Sequence, residues 1–253
     1  MRDVFQKLIE RYDYGGAMEV LRTNGMDQTD AGIVTDACRC AVNFDFESAW
    51  AILKQLPPSD EAFQLMFPRL EALKKGVPEE MMLELLENIM FQIVNEEYID
   101  FLGRVYRFKE AVYKYMFIKT QGHEKQHVRY MEKNEIMKTL RKHYHIYNAN
   151  LIRALNVYFD KFHGNDQRFE QIISRMNSRE MDRLIQLRHE SPIGHGFRGV
   201  GLPDILRAYG DPYAVLEDFK ACMRILGTRD EPYKYSKINC IILNLFDRDQ
   251  PHQ

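Results

Sequence analysis

Apolar residues recur along this chain with the spacing of helices and almost never with that of strands. Val4, Leu8 and Ile9, and then Ala17, Val20 and Leu21, fall at separations that gather each set on one helical face. A longer stripe through Met81, Met82, Leu85, Leu86, Ile89, Met90 and Ile93 follows Pro78-Glu79-Glu80. Proline costs nothing in a first turn, where no amide partner is lost, and acids there suit the helix dipole. Ile99, Leu102, Val105, Tyr106, Ala111, Val112, Tyr115 and Met116 continue the pattern, and Ile136, Leu140, Ile152, Leu155 and Phe159 carry it on. The best strand candidate is residues 238–245, whose spacing fits a helix as well. These periodicities predict an all-α chain, a helical bundle.

Turn-forming residues punctuate the stripes at Asn24-Gly25, Pro57-Pro58, Gly76-Val77-Pro78, Gly122, Gly164-Asn165 and the glycine-rich stretch 194–201. Tyr12-x-Tyr14-x-x-Ala17 and Phe44-x-Phe46-x-x-Ala49 look alike, and an apolar helix follows each. The likeness suggests stacked helical hairpins, though two copies are too few for a solenoid and plain helix packing explains them equally well. Trp50 reads as a packing residue in this region, and the thirteen methionines as adaptable core filler.

Charge adds a division. The formal net charge of the 253 residues is −2, so no global field attracts a polyanion. Residues 1–100 carry 9 Lys and Arg against 19 Asp and Glu, whereas residues 101–168 carry 14 against 6 and hold five of the eight histidines. A basic middle segment can line a polyanion groove or form an ordinary solvated helix face. The change of sign near residue 95 suggests a helical-hairpin region, 1–95, followed by a second domain, 96–253. Cys38, Cys40, Cys222 and Cys240 form no CxxC pair, no N-terminal signal is evident and no apolar run is long enough for a membrane span. Reduced thiols, a cytoplasmic setting and no membrane partner are the expectations.

The richest chemistry lies in residues 177–201, NSREMDRLIQLRHESPIGHGFRGVG. Ser178 suits an N-cap, with Glu180 and Asp182 in the first turns. Met181, Leu184, Ile185 and the stem of Arg188 follow at helical spacing. Pro192 predicts an end near Glu190, with Ser191-Pro192 opening a new element. Gly194 and Gly196 flank His195 and leave its imidazole uncrowded. An arginine at a helix end is thus set against a histidine beyond a sharp turn. Attack by a ribose 2′-hydroxyl on the adjacent phosphate needs a proton moved near neutral pH, which imidazole does. The crowded phosphorane needs its extra negative charge held, which a permanently charged guanidinium fork does without a metal or other cofactor.

Arg188-His189-x5-His195-Gly196 resembles the Arg-x4–6-His signature of HEPN ribonucleases. The fuller string LRHESPIGHGFRGVGLPDI is similar to the CRISPR-associated HEPN ribonucleases of type III systems. Residues 8–17 and 101–110 resemble the helical region of the same group. The resemblance implies a HEPN domain preceded by a smaller helical region, acting as a homodimer whose paired motifs form one composite site. It implies an antiviral defence endoribonuclease that cuts single-stranded RNA to 2′,3′-cyclic phosphate and 5′-hydroxyl ends. Arg188 and His195 would be catalytic. His189 stands where the family more often has asparagine, which puts its role in orienting the site in doubt. Arg141, Lys142 and Arg198 are candidate RNA contacts. The family's cyclic-oligoadenylate sensor is a Rossmann-like domain, and no βαβ alternation or phosphate loop appears here. Cyclic oligoadenylate would therefore act only through a sensor domain outside this chain.

Rival features are weaker. His123-Glu124-Lys125-Gln126-His127 matches HExxH, but glycine precedes it, Lys and Gln fill its middle, and no third histidine follows as in the commonest zinc proteases; Glu132 or Glu135 would have to complete the site. No metal is expected. His143-x-His145 beside Arg141, Lys142, Tyr144 and Tyr147 suits either stacked RNA or a helix surface with core tyrosines. Asp204, Glu217 and Asp218 carry no assigned role. The alternative to a nuclease is a non-catalytic helical scaffold, in which Arg188 pairs with a carboxylate and His195 merely packs.

Overall fold

The computed structural model describes residues 1–122, 132–230 and 234–249. Among them it has fourteen helices and no strand, an all-α fold. These begin with α1 (Arg2–Glu10), α2 (Tyr14–Thr23), α3 (Asp30–Val42), α4 (Phe46–Leu53), α5 (Glu61–Lys74), α6 (Pro78–Val94) and α7 (Tyr98–Thr120). They continue with α8 (Lys133–Tyr144), α9 (Leu151–His163), α10 (Gln167–Met176), α11 (Arg179–Glu190), α12 (Leu202–Ala208), α13 (Pro212–Ile225) and α14 (Lys234–Asp249). The strand candidate at 238–245 lies within α14. The HExxH segment lies outside the described residues.

Two compact units divide the chain, one of Met1–Lys75 with the C-terminal segment, the other of Gly76–Glu231. In the first, α14 packs against α1, α3 and α5. Phe246 stacks on Phe5 at 4.2 Å between ring centroids. The Tyr14 hydroxyl donates to Asn239, whose amide in turn donates to the carbonyl of Ile9. The last helix therefore belongs with the first five. The break falls after Lys75 rather than near residue 95, and the reason is packing. Met82, Leu86 and Ile89 of α6 share one buried core with Phe101, Val105 and Val112 of α7. The change of charge sign lies inside this second unit, between an acidic helix and the basic ones after it. Even the acids of α6 are drawn in: Glu80 is buried and pairs with Arg229, and Glu79 accepts from the Tyr115 hydroxyl at 2.7 Å.

The two look-alike segments become one kind of turn, and a third copy joins them. Tyr12, Phe44 and Glu96 each adopt a left-handed backbone, with φ of 60°, 63° and 60°. The amide of the next residue, Asp13, Asp45 or Glu97, reaches back five positions to Leu8, Cys40 or Gln92. That bond closes a Schellman-type helix end. Asp13 and Asp45 then cap the following helix by accepting from the amides of Gly16 and Ser48. The aromatic residue after each acid, Tyr14, Phe46 or Tyr98, is buried. One short device thus ends a helix, starts the next and seats an aromatic anchor.

In the second unit α7 is the axis, packed by α6, α9, α11 and α13. Phe108 stacks on Phe219 at 4.2 Å. The buried Tyr113 hydroxyl donates to Asn156 and Asn177, tying α9 and the start of α11 to the axis. Helix α11 runs antiparallel to α7: Asn177 and Asp182 lie opposite Tyr113 and Lys109, whereas Arg188 and Ile193 lie opposite Tyr106 and Gly103. This alignment carries the arginine–histidine motif onto α7.

Candidate functional site

Helix α11 starts where the sequence predicts. The Ser178 hydroxyl accepts from the amide of Met181, and Met181, Leu184 and Leu187 are buried against α7. Arg188 and His189 stand in the last turn. The segment after them differs from the expectation of a new element at Pro192. Ser191 is buried and closes α11, its hydroxyl donating to the carbonyl of Arg188 at 2.9 Å. Its own carbonyl accepts from the amides of Gly194, His195 and Gly196. No new helix starts until Leu202.

The glycines do a different job from leaving His195 uncrowded. A Cβ on Gly194 would lie 2.1 Å from the carbonyl oxygen of Arg188, and one on Gly196 would lie 2.0 Å from that of Glu190. The chain doubles back so tightly on the helix end that only hydrogen fits at either place. Gly103 of α7 makes the matching allowance, because a Cβ there would meet the Ile193 side chain at 2.3 Å.

Arg188 lies over the ring of Tyr106, its guanidinium carbon 4.4 Å from the centroid, a cation–π contact. One Nη donates weakly to the carbonyl of Ile193 at 3.4 Å, while Nε is buried without a hydrogen-bond partner. Among the described residues no carboxylate pairs with this arginine. His195 is exposed at the crest of the turn. His189 binds its proton less tightly than an ordinary imidazole, first because of partial burial, then because Arg188, His195 and Arg153 place positive charge around it. The imidazole is therefore neutral near pH 7 and able to accept a proton.

Arg188, His189 and His195 thus share one cationic cluster, and the structure adds Arg153 and Tyr106. Nothing in the motif marks Arg153, which comes from the first turn of α9. Tyr106 is counted by periodicity as a core residue, yet it is half-buried beneath the guanidinium. Arg198, a candidate RNA contact, bonds Glu190 at 2.6 Å and Asp204 at 2.8 Å. Asp204 also accepts from Arg207 and from the Gly201 amide, so this ionic knot clamps the loop to α12. Both carboxyls are held below their usual range, Glu190 by hydrogen bonds from Gln186 and Arg198, and Asp204 by those from Gly201, Arg207 and Arg198. Arg141 and Lys142 are exposed on the last turn of α8. Of the tyrosines near them, Tyr144 packs edge-on against Phe117 and Tyr158, as a core residue does, while Tyr147 is 71% exposed. All four cysteines are free thiols, and no helix among the described residues is long and apolar enough to cross a membrane. The chain matches no protein-family model, no curated protein and no solved structure.

Proposed function

We propose that this chain is a metal-independent endoribonuclease of the HEPN type, with Arg188 and His195 as its catalytic residues. The observation that carries the reading is Arg188: its face is held by Tyr106, it has no carboxylate partner among the described residues, and it bonds the carbonyl of Ile193 in the turn that carries His195. A scaffold arginine at a helix end would be neutralised, as Arg198 is nearby. An arginine kept without an anion is suited to receive one. In the reaction, the 2′-hydroxyl oxygen bonds to the adjacent phosphorus as its proton passes to an imidazole. The bond from phosphorus to the 5′-oxygen breaks, and that oxygen takes up a proton. The guanidinium holds the non-bridging oxygens as their charge grows. The products are a 2′,3′-cyclic phosphate and a 5′-hydroxyl, and DNA, which lacks the nucleophile, is not cut.

One copy offers a single arginine on an open surface. Three grooves of the second unit are lined by residues from α8, α9, α10 and the ends of α7 and α13, and neither Arg188 nor His195 lines any of the three. A homodimer that brings two motifs together supplies the missing wall. Exposed apolar residues around the motif support this: Phe197 is 97% exposed, with Leu206 and Ile193 also open. The defence role, and activation by cyclic oligoadenylate through a sensor domain outside this chain, follow from the resemblance alone. Cleavage of single-stranded RNA in EDTA, by wild type and His195→Ala, with solution mass measured alongside, tests the proposal. Activity that survives EDTA and disappears in the variant supports it. A stable protein that never cuts at high concentration, as monomer or dimer, returns the chain to the scaffold reading.

A further inference from the structure

Cations in the second unit fall into two groups. Most that shape the fold are bound: Lys114 to Glu110, Arg168 to Asp166, Arg175 to Asp218, Arg198 to Glu190 and Asp204. Helix α8 is the contrast. Lys133, Lys138, Arg141 and Lys142 line a groove of about 630 Å³ together with Asn134, Met137 and Ala149, and among the described residues no carboxylate lines it. None of these four cations pairs with a carboxylate among the described residues. Their spacing explains the shared face, since positions 133, 137 and 141 and positions 134, 138 and 142 form adjacent rows at four-residue steps. Like charges in one row repel, so the fold gains nothing from gathering them.

Ala149 also lines the groove, and the next residue, Asn150, caps α9 by accepting from the amide of Arg153. Arg153 is the residue whose charge reaches His189 in the motif cluster. At the bend between α8 and α9, Tyr147 stands out with its hydroxyl 3.5 Å from the His145 ring, an exposed aromatic face of the kind on which bases stack.

We propose that this face of α8 is a track for the phosphodiester backbone of single-stranded RNA. That the bound strand is also a substrate rests on the nuclease reading; the track itself is a binding claim and is tested without cleavage. The probe is fluorescein-labelled oligouridylate of roughly 20 nucleotides, bound to the full chain over a range of salt and followed by polarisation. Lys138→Glu with Arg141→Glu and Lys142→Glu should weaken binding at least about tenfold at low salt. It should also flatten the log–log salt dependence by about 2, the release expected for three phosphates on a single strand. The charge-keeping set Lys138→Arg, Arg141→Lys and Lys142→Arg should bind like wild type, and circular dichroism of both variants should show the native helix content. Unchanged affinity and slope in the reversed variant overturn the track. Equal binding of polyglutamate, lost equally in that variant, overturns the assignment to RNA in favour of an acidic protein surface.

Cleavage separates the two readings. Loss of the track should raise KM and leave kcat, whereas His195→Ala should abolish kcat and leave the affinity. A chain that binds through α8 and never cuts keeps the track and loses the nuclease; one that cuts with its affinity unmoved by charge reversal does the opposite.

Discussion

The chain reverses direction after a helix in two different ways, and the contrast separates structure from chemistry. At Tyr12, Phe44 and Glu96 a non-glycine residue turns left-handed, an acid follows, and a new helix begins at once on a buried aromatic. At Ser191 the chain collapses onto its own helix end through Gly194 and Gly196, and eleven positions separate Ser191 from the start of α12 at Leu202. The first kind of turn buries the aromatic residue that follows its acid. The second leaves His195 and Phe197 open and holds Arg188 without an anion. A turn that serves packing is closed by its own residues. The turn at Ser191 keeps some of its polar capacity unspent, as the proposed nuclease site requires.

The largest expected effect falls on the second kind. Arg188→Ala should lower cleavage by about 10²–10³-fold, the loss seen when a donor to a developing oxyanion is removed. Its helix content and melting temperature should stay close to wild type. A large fall in melting temperature would show that Arg188 serves the fold after all. Gly196→Ala comes next, because its methyl would press on the carbonyl of Glu190. A cost of roughly 1–3 kcal/mol in urea unfolding is expected, together with loss of cleavage as the turn opens.

Asp45→Ala probes the packing turns. Removing the side chain that caps α4 should cost about 1 kcal/mol and leave RNA cleavage unaltered. Glu96→Gly should move stability the other way, by up to about 1 kcal/mol, since Glu96 is exposed and glycine adopts φ of 60° without strain. The smallest effect is one of pH. The folded state holds the proton of His189 less tightly than the unfolded chain does. Stability should therefore fall as pH drops below the ordinary imidazole value of 6.5, and the decline should be complete below the lowered value. Unfolding midpoints at pH 7.5 and pH 5 should differ less in His189→Asn than in wild type.

The sequence announced several of these features in part. Tyr12-x-Tyr14 and Phe44-x-Phe46 were visible as a pair because both left-handed positions are aromatic. The third turn carries no such mark, because Glu96 holds that place and the acid after it is Glu97, whose side chain does not cap α7. Ser178, the buried Met181 and Leu184, and the end of α11 near Glu190 followed from capping, periodicity and Pro192. The surroundings of Arg188 and His189 did not. Tyr106 is 82 positions away and looks like any member of an apolar stripe, and Arg153 is one basic residue among many.

Order along the chain is thus enough for what depends on neighbours in sequence: helices, most of their ends, and the clustering of Arg188, His189 and His195 around one turn. Helical periodicity, capping and the geometry of glycine act over a few residues, so they can be read locally. What depends on contacts between distant segments waited for the fold. Packing of α14 against α1, α3 and α5 drew the unit boundary, and α6 on α7 placed an acidic helix with basic ones. Whether a cation is neutralised depends on which carboxylate the fold brings beside it, which is why Arg198 and Arg188, ten positions apart, have different surroundings.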